Sequence, residues 1–119
     1  MNSSINTDSR KNPKISIGLP VYNGEKFLQK KIESLLNQTV EDFEIIISDN
    51  ASTDSTSVIC QKYIQKDERI RYFKQEKNMG FLWNFNFVLK EARGKYFLWA
   101  SVDDIILPEY IEKNVAVVE

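Results

Sequence analysis

The sequence predicts an α/β fold, a mostly parallel sheet with helices on both faces. Three observations carry this. Short apolar runs of β-branched character alternate along the chain with amphipathic segments of helical period. The clearest of those runs are continuous rather than alternating, as expected of strands covered on both faces. Polar and acidic residues follow each run, at the end where open parallel sheets bind ligands.

The elements follow in order. "KISIGLP" (14–20) reads as a strand that stops at Pro20. "GEKFLQKKIESLLNQ" (24–38) sets Leu28, Ile32, Leu35 and Leu36 at helical spacing with charges opposite. "FEIIIS" (43–48) is a short buried strand. "STDSTSVICQKYIQK" (52–66) opens on capping residues and pairs Ile59 with Tyr63 and Cys60 with Ile64 at i,i+4. "IRYFKQ" (70–75) is a third strand. "GFLWNFNFVLKEA" (80–92) places Phe81, Phe85, Val88 and Leu89 on one helical face, and Gly94 follows as a helix stop. "KYFLWAS" (95–101) reads as another buried strand. "PEYIEKNVAVV" (108–118) starts with Pro108 in a first-turn position and has Ile111, Val115 and Val118 in register. The order is β-α repeated four times, with right-handed crossovers expected. Residues 1–13 read as a disordered arm. The sequence ends inside the last predicted helix, which sets the expectation of a piece of a longer protein.

Composition narrows the chemistry. The 119 residues suffice for one small domain. Net charge is −1 and no basic stripe is present, which argues against a dedicated nucleic-acid binder. No apolar stretch approaches the roughly 20 residues of a transmembrane span, and the N-terminus lacks a signal-peptide core. The single cysteine, Cys60, excludes an internal disulfide, fits a reducing compartment and reads as a buried small hydrophobe. With no histidine, imidazole catalysis and His-based metal sites are excluded within the chain. A metal here must be hard and oxygen-bound, such as magnesium or manganese.

The residues after the strands are the candidate site. They are Pro20, Tyr22, Asn23 and Glu25 after the first, and Ser48, Asp49, Asn50, Ser52 and Asp54 after the second. Asn78 and Gly80 follow the third, and "SVDD" (101–104) the fourth. Each segment alone has a plainer reading: a turn at 22–24, an Asx-turn and helix cap at 49–54, a turn at 78–80, a loop pair at 103–104. Trp83 and Trp99 are expected in the core rather than stacked on a ligand. The case rests on the convergence of these segments at one end of an alternating chain. Such a rim suits a ligand with a flat ring, hydroxyls and negative charge. Tyr22 offers an aromatic face, and Asp49 or Asn50 a hydrogen bond to a base edge or ribose. Asp103 and Asp104 repel each other by about 4 kcal/mol at about 4 Å and an effective dielectric of about 20. Magnesium or manganese held against a diphosphate relieves that repulsion and stabilises charge on a departing phosphate. Neither GxGxxG nor GxxxxGK[ST] occurs, so no glycine-rich loop cradles the phosphates.

"KISIGLPVYNGEKFLQKKIESLLNQT", "FEIIISDNASTDST" and "KNMGFLWNFNFVLKEARGKYFLWASVDDIILPEYIEK" together resemble the N-terminal half of family 2 glycosyltransferases with the GT-A fold, over about residues 14–118. The resemblance implies a Rossmann-like sheet of which residues 14–119 form the nucleotide-sugar-binding part. It also implies transfer of a sugar from a nucleotide-diphosphate sugar to a saccharide or lipid-linked acceptor. Pro20 and Tyr22 match the loop that meets the base. Asp49 and Asn50 match an acidic pair contacting base and ribose, the second acid being Asn here. Asn78 and Gly80 match the loop after the third strand. Asp103 and Asp104 match the end of a DXD-type motif whose earlier acid is Ser101. Asp104 is the implied direct ligand of Mn2+ or Mg2+, and Asp103 its ribose or water-mediated partner. The family's general base comes from the C-terminal half, beyond Glu119, so no catalytic residue is assigned within the chain. Cell-surface polysaccharide synthesis, in the cytoplasm or at the inner face of the membrane, is the implied setting. Two other classes compete: a nucleotide-binding module without transfer, and a phospho-accepting signalling domain. The latter carries its acidic pair after the first strand, where this chain has "PVYNGE".

Overall fold

A computed structural model describes residues 12–103 and Ile111. Apart from Ile111, the predicted helix 108–118 lies outside the described residues, as do Asp104 and most of the predicted arm. The elements are β1 (Ile15–Val21), α1 (Glu25–Leu36), β2 (Phe43–Asp49), α2 (Thr56–Ile64), β3 (Ile70–Lys74), α3 (Phe81–Glu91) and β4 (Tyr96–Trp99). The four strands form one sheet in the order β3-β2-β1-β4, and every pairing is parallel. β1 thus has β2 on one side and β4 on the other, and the crevice where strand order reverses opens beyond their carboxyl ends.

The alternation of side chains along β1 separates two unlike faces. Ile15, Ile17, Leu19 and Val21 join Ile45 and Ile47 of β2 in the apolar core. Leu28, Ile32 and Leu35 of α1 and Cys60 and Tyr63 of α2 close over them. Leu36, predicted on the same stripe, is only partly buried. Burial pushes the Cys60 thiol up to about 12, so the cysteine is the inert hydrophobe its surroundings in sequence suggested. Burial, with a hydrogen bond from Tyr63 to the Glu33 carboxylate, also raises the Tyr63 phenol to about 12 and ties α2 to α1.

The opposite face is polar and carries α3. Val88 sits directly over Gly18, where a Cβ would lie 2.6 Å from its Cγ2. Asn84, one turn earlier, donates from Nδ2 to the Ser48 carbonyl at 3.0 Å and accepts from Ser48 Oγ at 2.5 Å. This corrects the predicted helix face. Val88 is buried, but the other buried contact is Asn84, while Phe81 is 75% exposed and Leu89 also faces outward. The helix meets the sheet through the small and hydrogen-bonding members of its face because Gly18 and Ser48 leave room only for those.

At the other end of that face, Glu44 anchors three segments. It accepts from Ser16 Oγ at 2.6 Å, Arg93 N–H at 2.8 Å and Arg71 Nη1 at 3.1 Å, and Arg71 continues to Glu91 at 3.0 Å. Gly94 presses against β1 there: a Cβ would meet Ser16 N at 2.7 Å and the Ile15 carbonyl carbon at 2.8 Å, both backbone atoms. Gly94→Ala is therefore expected to destabilise by about 1–3 kcal/mol, read as a lower urea midpoint at unchanged slope.

Two further expectations differ from the structure. β4 is half-exposed rather than buried, since among the described residues it pairs only with β1. Trp83 and Trp99 are not core residues. Trp83 stacks on Phe87 at 5.3 Å, Trp99 stacks on Phe85 at 6.0 Å, and both keep an exposed side. No helix among the described residues is long and apolar enough to cross a membrane.

Candidate functional site

The loops after β1 and β2 are laced together. After β1 the chain turns at Asn23, whose φ of 50° is a left-handed conformation that asparagine tolerates. Asn23 N–H donates to Ser52 Oγ at 2.8 Å, and its Oδ1 accepts Thr53 N–H at 2.8 Å. Gly24 N–H reaches Thr56 Oγ1 at 2.9 Å, Glu25 N–H reaches Asp54 at 3.2 Å, and the Glu25 carboxylate accepts Ser55 N–H at 2.9 Å. Burial pushes the pKa of Asp54 up, but hydrogen bonds from the Thr56 hydroxyl, Thr56 N–H and Glu25 N–H outweigh it and hold the carboxyl below its ordinary range. This lacing explains why α2 begins at Thr56 and not at Ser52: the intervening N–H groups are committed to Asp49, Asn23 and Glu25.

Asp49 is fully buried. Its Oδ1 accepts Ser52 N–H at 2.9 Å and its Oδ2 accepts the Tyr72 hydroxyl at 2.7 Å. Burial pushes the Tyr72 phenol well up, the Asp49 carboxylate adding to the rise, so it stays a donor. Asn50, 2% exposed, holds the next loop: Oδ1 accepts Met79 N–H at 2.8 Å and Nδ2 donates to the Gly80 carbonyl at 3.1 Å. Gly80 takes a φ of 98°, which suits glycine, and its N–H donates to Asn78 Oδ1 at 2.8 Å.

These loops wall a cleft of about 540 Å³ at the crevice between β1 and β4. Of the residues singled out from sequence, Pro20, Tyr22, Asn23, Asn50, Asn78 and Asp103 line it. Glu25, Asp49 and Gly80 are not among its lining residues and belong to the loop lacing just described. Tyr22 is half-exposed, and Asp103 is exposed and accepts Ser101 Oγ at 3.2 Å. Sequence reasoning missed Phe27, Phe81, Asn84 and Phe85, which also line it. Asn84 carried a signal, a polar residue one turn before Val88 inside an aromatic helix. Phe27 stands off the Leu28–Ile32–Leu35 stripe and had none beyond that displacement.

The model for glycosyl transferase family 2 matches residues 16–119. The chain belongs to glycosyl transferase family 2. Over 104 residues it is 41% identical to an uncharacterized glycosyltransferase of Methanocaldococcus jannaschii, covering 86% of this chain and 36% of that protein. Its fold is similar to S. aureus TarS 1–349 in complex with UDP, at a TM-score of 0.80 and 32% identity, covering 88% of this chain and 32% of TarS 1–349. The complex of TarS 1–349 with UDP-GlcNAc matches at the same TM-score of 0.80. The mannosyltransferase PcManGT from Pyrobaculum calidifontis, in complex with GDP-Man and Mn2+, shares the fold at a TM-score of 0.70 and 20% identity, over 77% of this chain and 28% of PcManGT. The chain spans about a third of the length of the M. jannaschii protein and of TarS 1–349. The Rossmann-like α/β architecture of the GT-A type expected from the resemblance is thus the architecture observed.

Proposed function

We propose that this chain is the donor-nucleotide part of a glycosyltransferase that moves a sugar from a nucleotide-diphosphate sugar to a saccharide or lipid-linked acceptor in cell-surface polysaccharide synthesis. The observation that carries this is the cleft at the β1/β4 crevice, which brings an aromatic face, amides and a carboxylate to the carboxyl ends of a parallel sheet. The half-exposed Tyr22 lines the cleft and offers an aromatic face to a base, and the exposed Asn78 offers an amide that can both donate and accept. UDP is the nucleotide assigned first, because TarS, 32% identical, is known in complex with UDP and UDP-GlcNAc.

The described residues contain no group of three or more His, Cys, Asp or Glu side chains able to hold a metal. A hard cation bridged to a diphosphate needs only one or two carboxylates, because phosphate oxygens and water complete its shell. The oxygen donors at the rim, Asp103 with the Ser101 hydroxyl beside it, fit that demand. Asp103 and its neighbour Asp104 are the residues assigned to Mn2+ or Mg2+. The bound ion supplies positive charge to the departing diphosphate. Among the described residues Asp103 is the only carboxylate lining the cleft. The base that takes the acceptor proton is assigned to a carboxylate beyond Glu119, in the C-terminal half that the resemblance implies. The reaction is placed in the cytoplasm, at the inner membrane face where the acceptor is lipid-linked.

Tyr22→Ala in the full-length protein tests the base platform. It is expected to weaken UDP binding by about 1–3 kcal/mol, measured by calorimetry, as loss of base stacking does. Unchanged affinity removes Tyr22 from the site.

A further inference from the structure

We infer that Asn50 is a positioning residue: it clamps the loop 78–80 and thereby sets the start of α3, and it does not choose the base. Its place after β2 invites a base-reading role, but the geometry assigns its amide elsewhere. Oδ1 is occupied by Met79 N–H at 2.8 Å and Nδ2 by the Gly80 carbonyl at 3.1 Å. The residue is 2% exposed, so the amide is held against that loop and away from solvent. Gly80 is the residue before α3, and its carbonyl also accepts Asn84 N–H at 3.1 Å. One turn of helix therefore hangs on the Asn50 amide, and that turn carries Phe81 and Asn84 into the cleft. Asn50 is itself fixed to β1, its N–H donating to the Val21 carbonyl at 2.9 Å. The chain of contacts runs from the β1 end through Asn50 to the opposite wall. A side chain in this position sets the width of the cleft for every base alike.

An amide suits this clamp and a carboxylate does not. Aspartate accepts from Met79 N–H but has no hydrogen for the Gly80 carbonyl and repels it. The two variants thus separate the two halves of the clamp.

The binding arm of the test rests on the donor-nucleotide reading; the exchange arm does not. In full-length protein, dissociation constants for UDP, CDP and GDP are measured by calorimetry for the parent, Asn50→Ala and Asn50→Asp. Amide hydrogen exchange at Met79 is followed without nucleotide. Positioning predicts that Asn50→Ala weakens every nucleotide that the parent binds by a similar factor, roughly tenfold. It also predicts faster exchange at Met79 in Asn50→Ala and protection regained in Asn50→Asp, which keeps the fold testable if the alanine variant is too unstable. A loss confined to one base, or Met79 exchange unchanged in Asn50→Ala, overturns the inference. If the parent binds no nucleotide, the donor-nucleotide reading fails and Met79 exchange alone decides the clamp.

Discussion

Glu44→Ala is expected to lower the unfolding free energy by about 3–5 kcal/mol, a large share of a small domain's stability. Glu44 is nearly buried and holds Ser16, Arg71 and Arg93 at once. Removing it leaves the Arg71 guanidinium, itself mostly buried, with Glu91 as its remaining carboxylate partner in this network, and takes an acceptor from the turn that brings the chain into β4. The double variant Glu44→Ala/Arg71→Met removes both charges and is expected to cost less than the sum of the two single changes, the signature of a coupled buried pair. Urea denaturation of the four proteins in this cycle measures it. Single changes within about 0.5 kcal/mol of the parent, the range of ordinary surface substitutions, contradict the anchoring role.

The second large effect falls on chemistry. Asp104→Ala in the full-length enzyme is expected to reduce sugar transfer at least roughly a hundredfold, the scale on which removing a group that stabilises transition-state charge acts. Asp103→Ala is expected to cost less, about tenfold, because its role is through the ribose or a bound water and not through direct coordination. Transfer kinetics at saturating donor measure both, with manganese varied so that a weakened metal site appears as a raised metal requirement. Equal, small losses in the two variants would remove the metal assignment.

Much of the fold was legible because its signals are local. The apolar runs at 15–21 and 43–49 and the stripe Leu28, Ile32, Leu35 each declare their element and their buried face within a few residues. The site was legible as a set of positions, since a strand followed by polar residues in an alternating chain must place them at one edge. What each side chain does there was not legible. Glu25, Asp49 and Asn50 read as ligand-facing groups, yet their carboxylates and amide are engaged with Ser55, with Ser52 and Tyr72, and with the loop 79–80. Those partners lie 3 to 30 residues away, and only the closed fold reveals them. The buried face of α3 was not legible for the same reason: periodicity grouped Phe81 and Leu89 with Val88 on one face, and the space above Gly18 and Ser48 admitted Val88 and Asn84. Trp83 and Trp99 show the limit of hydrophobicity as a guide, since each stacks on a phenylalanine and still stays more than a third exposed.

The most direct test is a calorimetric titration of the full-length protein with UDP, in manganese and in EDTA, alongside Asp104→Ala. A cleft that binds a nucleoside diphosphate through Tyr22 and a cation at residues 103–104 predicts one-to-one binding. Manganese should tighten it by at least roughly tenfold, or about 1.4 kcal/mol, an increment absent from Asp104→Ala. No UDP binding by the parent, or binding that manganese and Asp104→Ala leave unchanged, would contradict it.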